Sequence, residues 1–257
     1  MKLYVTDIDN TILPADRSKF QSSDLLQWQE RVKKTGAKMG YVTGRHFELA
    51  LEILDVLPEP DFLITAVGTR IHWKKDGDWR EDKDYLNYIG QIWQGCSGDD
   101  ARQALAGLGG LKEQGPEAQS RFKQSYYLDA SYNADEIVEN IKNILGTHQL
   151  ASEVIYSVDD RQGRGMIDIL PKGVAKSGAI RFLMRELDYG LEDVLYSGDS
   201  GNDLDALTMG SLAVLVGNAR PEIKEKVKAS APYPGRIYLA KAPYIQGVLE
   251  GFDHFRV

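Results

Sequence analysis

A single cysteine in 257 residues, Cys96, excludes an intrachain disulfide and gives no sign of an oxidising compartment. It stands in the turn-like stretch Gly95-Cys96-Ser97-Gly98 with no histidine nearby, so it reads as an incidental thiol rather than a nucleophile. There is no long basic run, and the formal net charge is -7, which argues against an electrostatic grip on nucleic acid or on anionic membranes. No segment approaches the roughly 18 apolar residues that span a bilayer, and the N-terminus lacks the basic-then-apolar pattern of a signal peptide. The expectation is a cytoplasmic protein with no membrane and no nucleic-acid partner. The four histidines, His46, His72, His148 and His254, are dispersed and read as surface or core residues without catalytic duty. Internal repeats and low-complexity tracts are also missing. What remains is a globular composition, 42% hydrophobic and 27% charged, long enough for one large domain or two modest ones.

The first stretch that carries chemistry is Tyr4-Val5-Thr6-Asp7-Ile8-Asp9-Asn10-Thr11. Residues 3–8 are apolar and β-branched, the pattern of a buried strand, and two carboxylates appear two residues apart where it ends. A helical stripe over 20–34, a strand over 37–42, a helix over 47–57 and a strand over 62–67 follow, with a hairpin at Ile71-His72-Trp73 before Asp76-Gly77. Strand alternating with helix predicts a parallel sheet. From Asp84 to Arg164 the texture changes to aromatic and polar helices, a Gly-rich stretch over 107–119, strands over 123–128 and 154–158, and an amphipathic helix over 134–145. The first texture returns with a strand over 166–170, a helix over 175–187, a strand over 193–197, a short helix over 203–209, a strand over 212–216 and helices over 221–227 and 243–252. The reading is an α/β core made of residues 1–83 and 165–257, with an α+β unit, 84–164, inserted between the halves.

Four strand-to-helix junctions carry polar or charged residues: Asp7/Asp9, Thr43, Lys176 and Asp199/Asp203. In a parallel sheet such junctions share one edge, so residues distant in sequence can converge. Carboxylates gathered at one point repel unless a hard cation neutralises them, and Mg²⁺ prefers oxygen ligands. A lysine and a hydroxyl facing the same point suit a phosphoryl group, and a carboxylate can attack phosphorus to form an aspartyl-phosphate.

Asp7-Ile8-Asp9-Asn10-Thr11, Thr43-Gly44-Arg45, Lys176 and Gly198-Asp199-Ser200-Gly201-Asn202-Asp203 together resemble, in order and spacing, the four motifs of haloacid dehalogenase-like (HAD) phosphatases. The inserted middle then looks like that superfamily's α/β cap on a Rossmann-like parallel-sheet core. Asn10, the stretch from Pro60 to His72, Lys123 to Asp129, and Gly247 to Phe255 further resemble the sucrose-phosphate phosphatase branch, and the likeness covers nearly the whole chain. The resemblance implies Asp7 as nucleophile and Mg²⁺ ligand, and Asp9 as the acid and base that also lends its carbonyl to the metal. It implies Thr43 and Gly44 at the phosphate, Lys176 neutralising the phosphate while holding Asp7, Asp199 on the metal, Asp203 supporting it, and Asn202 positioning the phosphate. Lys172 is the nearby competitor for the lysine role. In the inserted unit, alternation puts Lys123, Ser125 and Tyr127 on one face, with Lys123 the expected sugar contact.

Each signal has a plainer reading. A lone DxD is most often a solvated strand end, Thr43 alone a helix cap, Arg45 a solvated side chain and Lys176 an exposed helix residue. Tyr85, Tyr88 and Trp93 are at helical spacing and read as packing rather than sugar platforms. The function that results is Mg²⁺-dependent hydrolysis of a sugar phosphate, sucrose 6-phosphate first. The alternatives are a mannosylglycerate-phosphate, trehalose-phosphate or broad-specificity phosphatase, or a phosphomutase. From other classes come a non-catalytic sugar-binding domain partnering a glycosyltransferase, and a signalling receiver, which would lack both the second carboxylate of DxD and the inserted unit.

Overall fold

The computed structural model describes residues 1–16, 18, 22–159 and 163–257. The chain opens with β1 (Leu3–Asp7), α1 (Ser22–Thr35), β2 (Lys38–Val42), α2 (Phe47–Leu54), β3 (Phe62–Thr65), β4 (Arg70–Lys75) and β5 (Asp78–Glu81). It continues with α3 (Lys83–Ile92), α4 (Gly98–Ala104), β6 (Leu111–Glu113), β7 (Gln124–Leu128), α5 (Ala134–Thr147), β8 (Ser152–Asp159) and β9 (Arg164–Pro171). The last part is α6 (Lys176–Leu187), β10 (Val194–Gly198), α7 (Leu204–Leu207), β11 (Leu212–Leu215), α8 (Pro221–Ser230), β12 (Ile237–Leu239) and α9 (Tyr244–Phe255). The start of the first helix at residues 20 and 21 lies outside the described residues.

Two sheets result. The larger has eight strands in the order β12-β11-β10-β1-β2-β3-β4-β5, parallel from β12 to β3, with the β4–β5 hairpin added antiparallel at one edge. This is the α/β fold that the strand–helix alternation predicts. The Asp76-Gly77 turn takes positive φ at both residues, 54° and 87°, the backbone that a two-residue hairpin requires. Alternation along β1 sorts its side chains: Leu3 and Val5 join one apolar cluster, while Tyr4 joins another with Trp28 of α1 and Phe252 of α9. Both faces are therefore buried, which is why the strands read as continuous apolar runs.

The second sheet has four antiparallel strands, β6-β7-β9-β8. Here one expectation is corrected. The run at 166–170 pairs on both sides within the smaller sheet, with β7 and β8, so the chain does not rejoin the larger sheet at residue 165. The cause is that a strand buried in either sheet shows the same local apolar pattern, and only long-range pairing separates the two. The sequence also missed two short strands: β6 within the Gly-rich stretch and β12 at the far edge. Strand β3 ends earlier than expected, because Ala66 and Val67 take left-handed φ of 51° and 60°. Among the described residues no helix is long and apolar enough to cross a membrane.

Candidate active site

Strand β1 sits between β10 and β2, where the chain turns in opposite directions on leaving the sheet centre. Crevices of parallel sheets open at such a switch point, outside the carboxyl ends of the strands. Asp7 is the last residue of β1, Asp199 follows β10, and Thr43 follows β2. Beyond Asp9, Asn10 takes a left-handed φ of 59°, and the carbonyl of Ile8 accepts from the amides of Ile12 and Leu13, so the chain folds back and leaves both carboxylates at the tip.

Lys176, the first residue of α6, has no exposed surface, and its ammonium donates to Asp7 Oδ1 at 2.8 Å and to Asp203 Oδ1 at 2.6 Å. Lys172, the competitor, is exposed. Asp203 is saturated: Tyr196 also donates its hydroxyl to Oδ1, while the amides of Asp199 and Ser200 and the Ser200 hydroxyl reach Oδ2 at 2.9–3.1 Å. Asp199 accepts from the Thr11 hydroxyl at 3.1 Å through Oδ1. Asp7, Asp199 and Asp203 each offer an oxygen within 4.8 Å of the others.

Three buried carboxylates against one ammonium leave two formal negative charges in excess among groups shielded from water. Burial, opposed by Lys176 and reinforced by Asp203 and Asp9, pushes the Asp7 carboxyl up to about 7. Burial, with the charges of Asp203 and Asp7, pushes Asp199 well above the carboxylate range. Asp203 is held below its ordinary value in spite of burial, by Lys176 and its hydrogen bonds. The same two aspartates keep the Lys176 ammonium above its ordinary value against the cost of burial. An all-oxygen donor set with two excess negative charges fits a hard divalent cation.

The Thr43–Arg45 turn forms the opposite lip. Thr43 is buried and its hydroxyl accepts from the Arg45 amide at 3.2 Å. The left-handed turn after β3 braces it: the Val67 amide donates to the Thr43 carbonyl at 3.1 Å and the Ala66 amide to the Arg45 carbonyl at 2.8 Å. A β-branched residue at φ 60° costs about 1–3 kcal/mol, strain typical of a segment held for its site. Across the cavity, a Cβ on Gly44 would lie 3.9 Å from the side-chain nitrogen of Asn202. Arg45 turns inward, its Nε on Asp9 Oδ2 at 2.7 Å and its Nη2 on Asp9 Oδ1 at 2.8 Å. The sequence offered no signal for that contact.

The smaller sheet covers the cavity. Pairing sets Ser125 opposite Asp168 and Tyr127 opposite Met166, so the alternating face of β7 and its β9 partners point the same way. Lys123 is 4% exposed and pairs with Asp168 at 3.1 Å, while the Ser125 hydroxyl donates to the same carboxylate at 2.6 Å. Asp168 escaped the sequence reading, although a lone carboxylate in an apolar strand was a usable signal. The cleft, about 410 Å³, is lined by Asp7, Asp9, Thr43, Gly44, Lys123, Asp168, Asp199 and Asn202 among others. Lys176 and Asp203 lie behind Asp7. A larger cavity, about 800 Å³, shares Asp199 and Asn202 but lacks Asp7 and Thr43, so the smaller one is where the strand-tip groups converge.

A family model described as sucrose-6F-phosphate phosphohydrolase matches residues 1–256. A HAD-like hydrolase of Nitrosococcus oceani is 34% identical over 98% of this chain and 71% of its own length. The mannosylfructose-phosphate phosphatase of Agrobacterium fabrum is 28% identical over 99% of this chain and 97% of its own. Among solved structures, the Synechocystis sucrose-phosphatase in complex with sucrose and phosphate superposes with a TM-score of 0.83 at 28% identity, covering 99% of this chain and 97% of that one.

Proposed function

The chain belongs to the sucrose-6F-phosphate phosphohydrolase family, and from that premise we propose that this sugar-phosphate phosphatase of the HAD superfamily acts on sucrose 6-phosphate through an aspartyl-phosphate on Asp7, with Mg²⁺. The observation that carries the reading is the meeting of Asp7, Lys176, Asp199 and Asp203 from opposite ends of the chain. Bound Mg²⁺ would neutralise phosphate oxygens, held by Asp7, Asp199 and the Asp9 carbonyl. Asp203, with both oxygens engaged by protein donors, acts from behind by fixing Lys176 and the Asp199 backbone.

Asp7 Oδ1 is tied to Lys176, and no donor among the described residues bonds Oδ2, which supports Oδ2 as the attacking atom. As the Asp7–phosphorus bond forms, the ester bond breaks and Asp9 gives its proton to the leaving sugar oxygen. Asp9 then takes a proton from water as that water attacks phosphorus, releasing phosphate and restoring Asp7. Thr43, Gly44 and Asn202 supply donors to the phosphate, and Lys176 offsets its charge. The four-stranded unit serves as the cap that shields the step from water, and the Lys123–Asp168 pair meets sugar hydroxyls. A second reading, another disaccharide phosphate, draws on the likeness to the mannosylfructose-phosphate phosphatase. The glycosyltransferase partner weighed from the sequence finds no support in the fold or the relatives.

The test is phosphate release from sucrose 6-phosphate, mannosylfructose phosphate, trehalose 6-phosphate, mannosylglycerate phosphate and hexose phosphates, with and without Mg²⁺. Highest kcat/KM on sucrose 6-phosphate is expected. No release from any of them with Mg²⁺ present overturns the proposal, and transfer to a second sugar hydroxyl instead of water would make the protein a mutase.

A further inference from the structure

The helix that presents Lys176 begins without a cap of its own. The N-cap position of α6 is Ala175, with non-helical backbone (φ -54°, ψ -176°) but no side-chain oxygen, and the first turn contains no acidic residue. The first amides of a helix have no partner inside it and are normally met by a side chain at the N-cap. Here the acceptor comes from another element. Asp205, in α7, accepts the Ser177 amide at 2.7 Å through Oδ2.

Its neighbour two residues back gives this contact its consequence. Asp203 holds the Lys176 ammonium at 2.6 Å, while Asp205 holds the backbone one residue beyond Lys176. One short turn of chain therefore grips both the tip and the root of the same lysine. On the far side, Gly68 at φ 103° lets the loop after β3 approach the Ala175 backbone so closely that a Cβ there would come within 2.7 Å of it. The root of Lys176 is thus held from two directions. Asp205 borders the larger cavity and not the one lined by Asp7, so it does not touch the reacting groups.

We propose that Asp205 is a positioning residue for the phosphatase step: by capping α6 from outside the helix, it fixes where the Lys176 ammonium meets Asp7. The inference rests on the catalytic role of Lys176 proposed above. A misplacement on the order of 1 Å can cost about a hundredfold in rate, whereas lost capping by itself costs only stability.

The experiment is a double-mutant cycle on kcat and KM for the best sugar phosphate and for p-nitrophenyl phosphate, with melting temperatures measured alongside. Asp205→Ala should lower kcat on the order of tenfold on both substrates, with KM within about twofold. Asp205→Asn, which keeps an acceptor oxygen, should stay within about threefold of the parent. In a Lys176→Ala background, Asp205→Ala should bring no further loss, because the two act through one ammonium. If Asp205→Ala fails to fold, Asp205→Ser and Asp205→Asn complete the cycle. An unchanged kcat with a lowered melting temperature overturns the inference, and so does a full additional loss in the Lys176→Ala background. Wild-type protein inactive on every phosphate ester sinks the phosphatase reading itself, whereas an active parent indifferent to Asp205 sinks this inference alone.

Discussion

Arg45 holds Asp9 by both carboxylate oxygens, at 2.7 and 2.8 Å, and so fixes the plane of the proposed acid–base residue beside the Thr43 turn, in the carboxylate form that takes the proton from the attacking water. A guanidinium fork can do this and a single ammonium cannot. Arg45→Ala leaves Asp9 in place but unaligned and is expected to lower kcat by roughly ten- to a hundredfold, part of the about 10²–10⁴-fold that general acid–base assistance supplies, with a smaller effect on KM. Arg45→Lys should recover little of it. Steady-state kinetics on a sugar phosphate decide the matter, and an unchanged kcat in Arg45→Ala would show that Asp9 needs no such support.

The excess of two negative charges around Asp7 predicts that metal and protein stability are linked. Saturating Mg²⁺ should raise the melting temperature of the parent, since a ligand that binds only the folded state stabilises it by mass action. EDTA should abolish phosphate release, and restored Mg²⁺ should return it. Asp199→Asn should lose the metal-dependent thermal shift, while Asp7→Asn should abolish turnover at any metal concentration.

The pair formed by Lys123 and Asp168 is nearly as buried as the core, with side chains 5% and 10% exposed. Lys123→Met strands a carboxylate in a poorly solvated site and should destabilise the fold by about 3–5 kcal/mol, measurable by urea unfolding. Lys123→Met combined with Asp168→Leu should regain most of that loss. The double variant should nevertheless raise KM for sugar phosphates on the order of tenfold while leaving p-nitrophenyl phosphate turnover unaffected. Equal losses on both substrates would remove the pair from sugar recognition.

His72 supplies a pH prediction away from the metal site. It is buried against Phe47 with ring centroids 3.9 Å apart, and its Nε2 has no hydrogen-bond partner among the described residues. Burial pulls its pKa from 6.5 down to about 4, with Glu81 opposing. The unfolded chain then binds the extra proton between those values. Stability is intact above about pH 6.5 and falls as the pH drops towards 4, by about 3 kcal/mol for this group. His72→Phe should flatten that part of the stability curve relative to the parent, and parallel curves would refute it.

The larger sheet was legible because its strands are apolar runs separated by helical stripes, and Asp76-Gly77 announced its hairpin. Lys123, Ser125 and Tyr127 shared a face on alternation alone, and the β9 partners of Ser125 and Tyr127, Asp168 and Met166, extend that face. Arg45 was unreadable, since Thr-Gly-Arg at a helix entry looks the same whether the arginine meets water or a carboxylate thirty-six residues back. Asp205 is invisible for the same reason: its partner is an amide on a different helix, and nothing in the local composition names it.

What the sequence by itself determined is which polar groups stand at the strand tips, because residue type and short-range spacing set which side chains follow each strand. Asp7, Thr43, Lys176 and Asp199 needed no coordinates to be singled out. Only the tertiary structure decided which sheet the 164–171 strand joins, which donors exhaust Asp203, and which carboxylates Arg45, Lys123 and Ser177 meet. Those outcomes depend on contacts between segments tens to hundreds of residues apart, whose free energies come from burial and mutual geometry and leave no periodic trace along the chain.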